Sequence, residues 1–176
     1  MKRTKTVFLL FMFVISLCAV TAQPVQSQTV GAVYILSDGT IESSVNATVP
    51  IQQDGNVYTF TANLVVTTLL VQRSHITIDG AGFTLSGQGD NGIDLSYASN
   101  VTVKNVQLAG MFFHGIYISG TSYHTVTGCT IVNNGNGISL YSTTYNDITD
   151  NILTGNDIGL DLLSSSGNLF RNNQLD

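Results

Sequence analysis

The sequence predicts an all-β solenoid, a three-faced parallel β-helix with about 22 residues per coil. Three observations carry this expectation. First, the motif Gly-apolar-x-apolar recurs as Gly92-Ile93-Asp94-Leu95, Gly115-Ile116-Tyr117-Ile118, Gly137-Ile138-Ser139-Leu140 and Gly159-Leu160-Asp161-Leu162, at spacings of 23, 22 and 22. Second, two further apolar columns run in register with it: Ile78, Val103, Val126, Ile148 and Phe170, and, five residues on, Phe83, Leu108, Ile131, Leu153 and Leu175. Third, segments such as Ile138-Ser139-Leu140 and Ile148-Thr149-Asp150 change character at every second residue, which is the strand period.

The elements follow in chain order. Lys2, Arg3 and Lys5 precede the apolar run Val7 to Ile15, and Val20-Thr21-Ala22 offers short residues for cleavage, so residues 1–22 are expected to be a signal peptide. The run is too short for a bilayer span of about 20 residues, so no stable membrane anchor is expected after cleavage. Residues 23–50 fit the repeat poorly and are expected to cap the first coil, with Tyr34-Ile35-Leu36 as a strand and Ser37-Asp38-Gly39-Thr40-Ile41 as its turn. Residues 51–176 form the coils. A strand of three to five residues cannot bury an apolar face alone, so equivalent strands of successive coils must stack. The final coil reaches Phe170 and Leu175 without a further Gly-apolar-x-apolar strand, and the chain is expected to be a fragment.

Charge narrows the function. Without the leader, Arg73, Lys104 and Arg171 stand against all 11 acidic residues, a balance of eight negative charges. Nucleic-acid binding requires Lys and Arg to neutralise phosphates, so it is excluded. Cys129 is then the only cysteine and reads as a small buried hydrophobe. Asn151 and Asn173 share a corner column, where stacked side-chain amides can satisfy turn backbone.

The stretches Tyr123-His124-Thr125-Val126-Thr127-Gly128-Cys129-Thr130-Ile131 and Tyr145-Asn146-Asp147-Ile148-Thr149-Asp150-Asn151-Ile152-Leu153 are each followed by a Gly-apolar-x-Leu strand. They resemble the right-handed parallel β-helix repeats of pectin-lyase-like proteins, in particular the secreted NosD-type β-helix proteins. The entry Gln53 to Phe60, running on to Ile76-Thr77-Ile78-Asp79-Gly80-Ala81-Gly82, looks like the first coils of such chains. The resemblance covers about residues 51–176 and implies a right-handed helix. It implies a secreted, cell-surface or periplasmic location. For activity it is permissive, because this superfold carries lyases, hydrolases, adhesins and other proteins.

An enzymatic reading would place a polysaccharide lyase or hydrolase site on the outer face of a sheet. The outward column Asp94, Tyr117, Ser139, Asp161 separates its two carboxylates by three coils, about 14 Å, too far for a pair cooperating across a glycosidic bond. Lys104 is the column neighbour of Asp79 and is expected to pair with it. Copper is implied by the NosD resemblance, but His75, His114, His124, Met111 and Cys129 show no His-x-His or Met-rich cluster, and neither His75 nor His124 stacks on His114. No cofactor, metal site or catalytic residue is expected. The favoured reading is a noncatalytic structural or carbohydrate-interacting module, its partner a polysaccharide or surface glycan. Tyr123 directly above Tyr145, together with Tyr117 and Asp161 of the outward column, are the candidate contacts.

Overall fold

A computed structural model describes residues 28–176, so the expected signal peptide at 1–22 lies outside the described residues. Over those residues the chain is a right-handed parallel β-helix of about 5 turns. It opens with β1 (Gln28–Ile35), which a Ser37–Thr40 turn reverses into the short antiparallel β2 (Ile41–Ser43). The hairpin β3 (Ile51–Asp54) and β4 (Val57–Phe60) follows, turning at Gly55-Asn56, and then β5 (Leu64–Val71). β1 pairs parallel with β5 from Gln28↔Leu64 to Ile35↔Val71, forming the first rung of the stack. Arg73 fastens this end. Its guanidinium donates to the Tyr58 hydroxyl at 2.9 Å and to Asn56 Oδ1 at 3.0 Å, while Tyr58 donates to the Gly39 carbonyl at 3.0 Å.

The coils repeat thereafter. Their strands are β6 (Thr77–Asp79) and β7 (Thr84–Asp94); β8 (Thr102–Lys104), β9 (Gln107–Ala109) and β10 (Met111–Ser119); β11 (Thr125–Thr127), β12 (Thr130–Val132) and β13 (Asn136–Tyr141). β14 (Asp147–Thr149), β15 (Ile152–Thr154) and β16 (Ile158–Leu163) follow, then β17 (Leu169–Arg171) and β18 (Gln174–Leu175). One face is the seven-stranded sheet β17-β14-β11-β8-β6-β4-β3. The other two faces are joined through β7, whose start pairs with β9 and whose end pairs with β10. We call the face β7-β10-β13-β16 the long sheet.

The apolar columns point inward. Ile78, Val103, Val126 and Ile148 are paired in one register and all fully buried, as are Ile93, Ile116 and Ile138 on the long sheet. One position is corrected: Leu85, not Phe83, aligns with Leu108, Ile131 and Leu153. The corner of β6 runs through Gly80-Ala81-Gly82 with two successive positive φ values, which adds two residues before the strand resumes. In the coil of β16 to β18 the same columns end in Leu160, which is half-buried, and in Phe170 and Leu175, which are exposed.

Many corners turn on one residue in the left-handed region, and in the later coils the next residue often carries a side chain that reaches to the preceding coil. At the corner before the seven-stranded sheet the left-handed residues are His75, Asn100, Tyr123, Tyr145 and Gly167; at the next they include Asn105, Gly128, Asp150 and Asn172; at the third, Asn133 and Gly155. In the later coils the residues that follow them form ladders. Asn151 Oδ1 accepts from Cys129 N at 3.0 Å, and Asn151 Nδ2 donates to Val126 O at 2.9 Å. Asn173 repeats both bonds on Asn151 N and Ile148 O. A further ladder, Asn134–Asn156, has the same form, whereas Asn168 Oδ1 accepts from Asn146 N at 2.9 Å but its Nδ2 has no partner among the described residues; neither was read from the sequence. Such bonds satisfy corner amides that neither strand pairing nor water can reach.

Ile148 is fully buried while Ile152, four residues on, faces outward at 41% exposure. Ile148→Asp should therefore abolish the cooperative fold, since an unpaired buried charge costs several kcal/mol. Ile152→Asp should change stability by less than about 1 kcal/mol. Urea unfolding of the two variants followed by circular dichroism checks the register.

Candidate functional site

Two outward-facing groups of side chains are candidates, and each arises from a backbone feature. The long sheet carries the first. In each coil a glycine and the next apolar residue both turn inward, so the residues on either side of the pair come to lie on the same outer face. A Cβ on Gly92, Gly115 or Gly137 would stand 2.6–2.7 Å from the carbonyl oxygen of the glycine one coil on, which is why the column must be glycine. The outer face thus has two adjacent columns: Asn91, His114, Asn136 and Ile158 beside Asp94, Tyr117, Ser139 and Asp161.

These columns are cross-linked. Asn91 Nδ2 donates to Asp94 Oδ2 at 2.9 Å, and the His114 and Tyr117 rings stack with centroids 4.8 Å apart. Asn136 Nδ2 donates to Asp161 Oδ2 at 2.8 Å and to Ser139 Oγ at 3.1 Å. His114 Nδ1 lies 2.8 Å from Ser139 Oγ. The Phe113 and His114 rings pack in a T shape with centroids 4.6 Å apart. Burial lowers the His114 pKa, and the nearby Asp161, Asp90 and Asp94 carboxylates oppose that shift. The sequence reading placed Tyr117, Ser139 and Asp161 together but missed His114 beside them, because strict alternation puts residues three apart on opposite faces. The signal was present as a polar residue before the glycine in three of the four repeats: Asn91, His114 and Asn136.

An open groove of about 400 Å³ borders this face, lined by Thr67, Thr68, Leu70, Asp90, Asn91 and Asp94. It arises where β5 and β7 lose register. Val66 pairs with Gly87 but Leu69 with Ile93, so Gln88 to Gly92 bulge over Thr67 and Thr68. Gly89 permits this, since a Cβ there would collide with the Thr67 carbonyl.

The second group is the tyrosine corner. Tyr123 and Tyr145 stack at 5.5 Å with ring planes 9° apart, 61% and 60% exposed. They sit apart from Tyr117 and Asp161, at the entry to the seven-stranded sheet. Gly167 follows in the same column and sets no side chain against the outer face of Tyr145. Both tyrosines hold positive φ, 65° and 57°.

The family model for the periplasmic copper-binding protein NosD matches residues 15–176. The chain belongs to the NosD family. Neither the curated proteins nor the solved structures hold a match. Among the described residues of this chain, no three His, Cys, Asp or Glu side chains are grouped as metal ligands, and no helix is long and apolar enough to cross a membrane.

The His and Cys side chains among the described residues have structural partners. His75 Nδ1 lies 2.8 Å from the Asn100 amide. Cys129 occupies the asparagine slot of its ladder: its thiol shares a weak bond between Thr127 O at 3.5 Å and Val103 O at 3.8 Å, the latter standing where Asn151 uses its amide on Val126 O. Burial pushes that thiol up to about 11, so it is neither a thiolate ligand nor a nucleophile at neutral pH. Lys104 pairs with Asp79 at 3.1 Å, as its column position implies.

His124 likewise stands in for asparagine. Its Nδ1 accepts from Val101 N at 3.4 Å, and its Nε2 lies 3.1 Å from Thr121 Oγ1, so the fold holds the ring neutral with its proton on Nε2. Burial lowers its pKa to about 4. The unfolded chain takes up the proton first, near the ordinary pKa of about 6.5, so the stability held above that pH drains away as pH falls towards 4. The loss should be on the order of 3 kcal/mol from this one residue. His124→Asn keeps the acceptor and should flatten the decline between pH 6.5 and 4, as urea midpoints across that range would read.

Proposed function

We propose that this NosD-family protein is an exported, periplasmic β-helix module that binds glycan without cleaving it, through Tyr123 and Tyr145. The observation that carries the reading is their backbone conformation. In the same column the other coils use His75, Asn100 and Gly167, and the remaining corners use Gly, Asn, Asp, Ser and Ala81, of which Gly, Asn and Asp enter that region at the least cost. A tyrosine there costs about 1–2 kcal/mol, and stacking returns only about 0.5–1.5 kcal/mol. Neither ring fills the core. A strained, exposed aromatic pair on a rigid scaffold fits a ligand role, and flat apolar area beside polar side chains suits the apolar face of a sugar ring.

The enzymatic alternative has less support. Asp94 and Asp161 stand three rungs apart, Lys104 is held by Asp79, and Arg73 is held by Tyr58 and Asn56. A lyase acting on uronates would also need a cationic group beside the substrate carboxylate, and the long sheet presents Asp90, Asp94 and Asp161 instead.

The family description favours a second reading, in which the protein handles copper. The donors described above do not make a resident copper centre: both His124 nitrogens are engaged, Cys129 is buried and protonated, and His75 and His114 lie on separate faces. Calorimetric titration with Cu(I) and Cu(II) should find no stoichiometric site tighter than about micromolar; a nanomolar site would transfer the assignment to copper.

The glycan reading predicts a separation of stability from binding. Tyr123→Asn/Tyr145→Asn relieves the backbone strain, so its thermal midpoint should hold or rise, while retention on insoluble cell-wall glycan should fall at least tenfold. A lower midpoint with binding intact would make the pair a structural ladder.

A further inference from the structure

The outer face of the seven-stranded sheet ends in a rung that is complementary to itself. Strand pairing sets Thr125, Asp147 and Leu169 in one column and Thr127, Thr149 and Arg171 in the column two residues later. Val126 and Ile148, between these columns, are fully buried, so alternation turns both columns outward. Tyr123, Tyr145 and Gly167 stand two residues earlier, at the corner. Along β17, Leu169 is therefore central, with Gly167 on one flank and Arg171 at the same chain separation on the other.

The flanks differ in the way two partners must. A Cβ at Gly167 would stand 3.1 Å from the Tyr145 ring, so the missing side chain leaves one face of that ring open as a notch beside Leu169, itself 44% exposed. Opposite the notch, Arg171 is exposed and free. The only ion pair among the described residues is Lys104–Asp79, and Arg73 is held by Tyr58 and Asn56. Arg171 thus has no carboxylate, and the exposed Asp147 carboxylate beside the notch has no cation. A guanidinium fits that vacancy by stacking on an electron-rich ring while bonding a carboxylate.

A two-fold axis parallel to the helix axis and passing over Leu169 exchanges the flanks. It sets Leu169 against Leu169 of the second copy and Arg171 of each chain over the Gly167 notch of the other. Faces packed in this way lie about 10 Å apart, within the reach of an arginine side chain. The two Asp147 carboxylates approach near the axis, where the two guanidiniums balance them. In the preceding rungs large faces small, since Tyr145 meets Thr149 of the second copy and Tyr123 meets Thr127.

We propose that the outer face of the seven-stranded sheet is an interface with a second copy of this chain, a side-by-side isologous dimer held by Arg171 in the opposite Tyr145–Gly167 notch. The proposal goes beyond the glycan reading and needs no sugar. A patch this narrow falls in the class of transient interfaces, those below about 1,200 Å².

The test is analytical ultracentrifugation of the protein without glycan, from about 10 µM to about 1 mM, the range of a transient contact. The mean mass should rise towards twice the monomer value. Arg171→Glu should weaken association at least tenfold, because four carboxylates then meet at the axis; Asp147→Arg should do the same with four guanidiniums. Mixed together, these two variants should associate one to one, since the charges at the axis then balance. Gly167→Asn, which keeps a residue suited to the left-handed conformation and closes the notch, should also weaken association. All substituted side chains point outward, so urea midpoints should match the parent's, and the charge variants decide the matter if Gly167→Asn folds poorly. A monomer at every concentration overturns the proposal. So does self-association that survives Arg171→Glu, which would be an end-on contact through Leu160, Phe170 and Leu175, and so does a mixture that stays monomeric. Glycan retention is measured separately: a monomer that retains glycan sinks the dimer alone, and a dimer that does not sinks the tyrosine reading alone.

Discussion

The hydrogen bond that the rest of the structure depends on runs along the helix axis at the corners. Strands three residues long satisfy only their own amides, and a chain that turns three times in about 22 residues leaves a buried backbone group at each turn. The solution is local and repeated: one left-handed residue swings the chain, and the next side chain lends its amide to the coil before. Asn151 and Asn173, Asn146 and Asn168, and Asn134 and Asn156 are three instances of one device. Each such bond contributes about 1 kcal/mol net, but leaving the corner amide unpaired would cost about 1–3 kcal/mol, which is why the slot tolerates so few residue types.

The same device governs what reaches the surface. The left-handed residue of a corner points away from the core, so whatever occupies it is displayed at a spacing of one coil. Where the occupant is Asn105 or Asp150 the spacing gives a polar contact along the stack, to Asp79 and from Asn172. Where it is Tyr123 and Tyr145 the spacing becomes a ring stack. On the long sheet the close approach of successive glycine carbonyls has a parallel effect, bringing His114 and Tyr117 onto one face. The rigidity of both groups is inherited from the ladders, and a ligand meeting them would find the side chains already ordered.

Much of the fold was legible in the residues because a solenoid writes its period into every coil. The 22-residue spacing, the inward Ile148 and Ile138 columns, the Tyr123–Tyr145 stack, the Asn151–Asn173 pair and the Lys104–Asp79 contact all follow from aligning repeats. What was not legible lies where the period is locally broken. Leu85 replaces Phe83 because the Gly80-Ala81-Gly82 corner is longer than its successors. His114 joins Ser139 because two inward residues in succession override alternation. His124 and Cys129 were weighed as potential ligands, whereas both imitate asparagine, one with an aromatic nitrogen as acceptor and the other with a thiol as donor. That equivalence is chemical and cannot be seen in a hydrophobic pattern.

The most direct measurement on the corner bond is the stability of Cys129→Asn. An ordinary core would lose several kcal/mol on receiving a buried amide in place of a thiol. Here the new side chain has partners waiting: the Val106 N–H that now meets the sulfur, and the Val103 carbonyl that receives its weak bond. The account predicts an urea unfolding free energy equal to or above that of the parent protein. A loss of more than about 2 kcal/mol would contradict it, since that is the penalty of an unsatisfied buried amide.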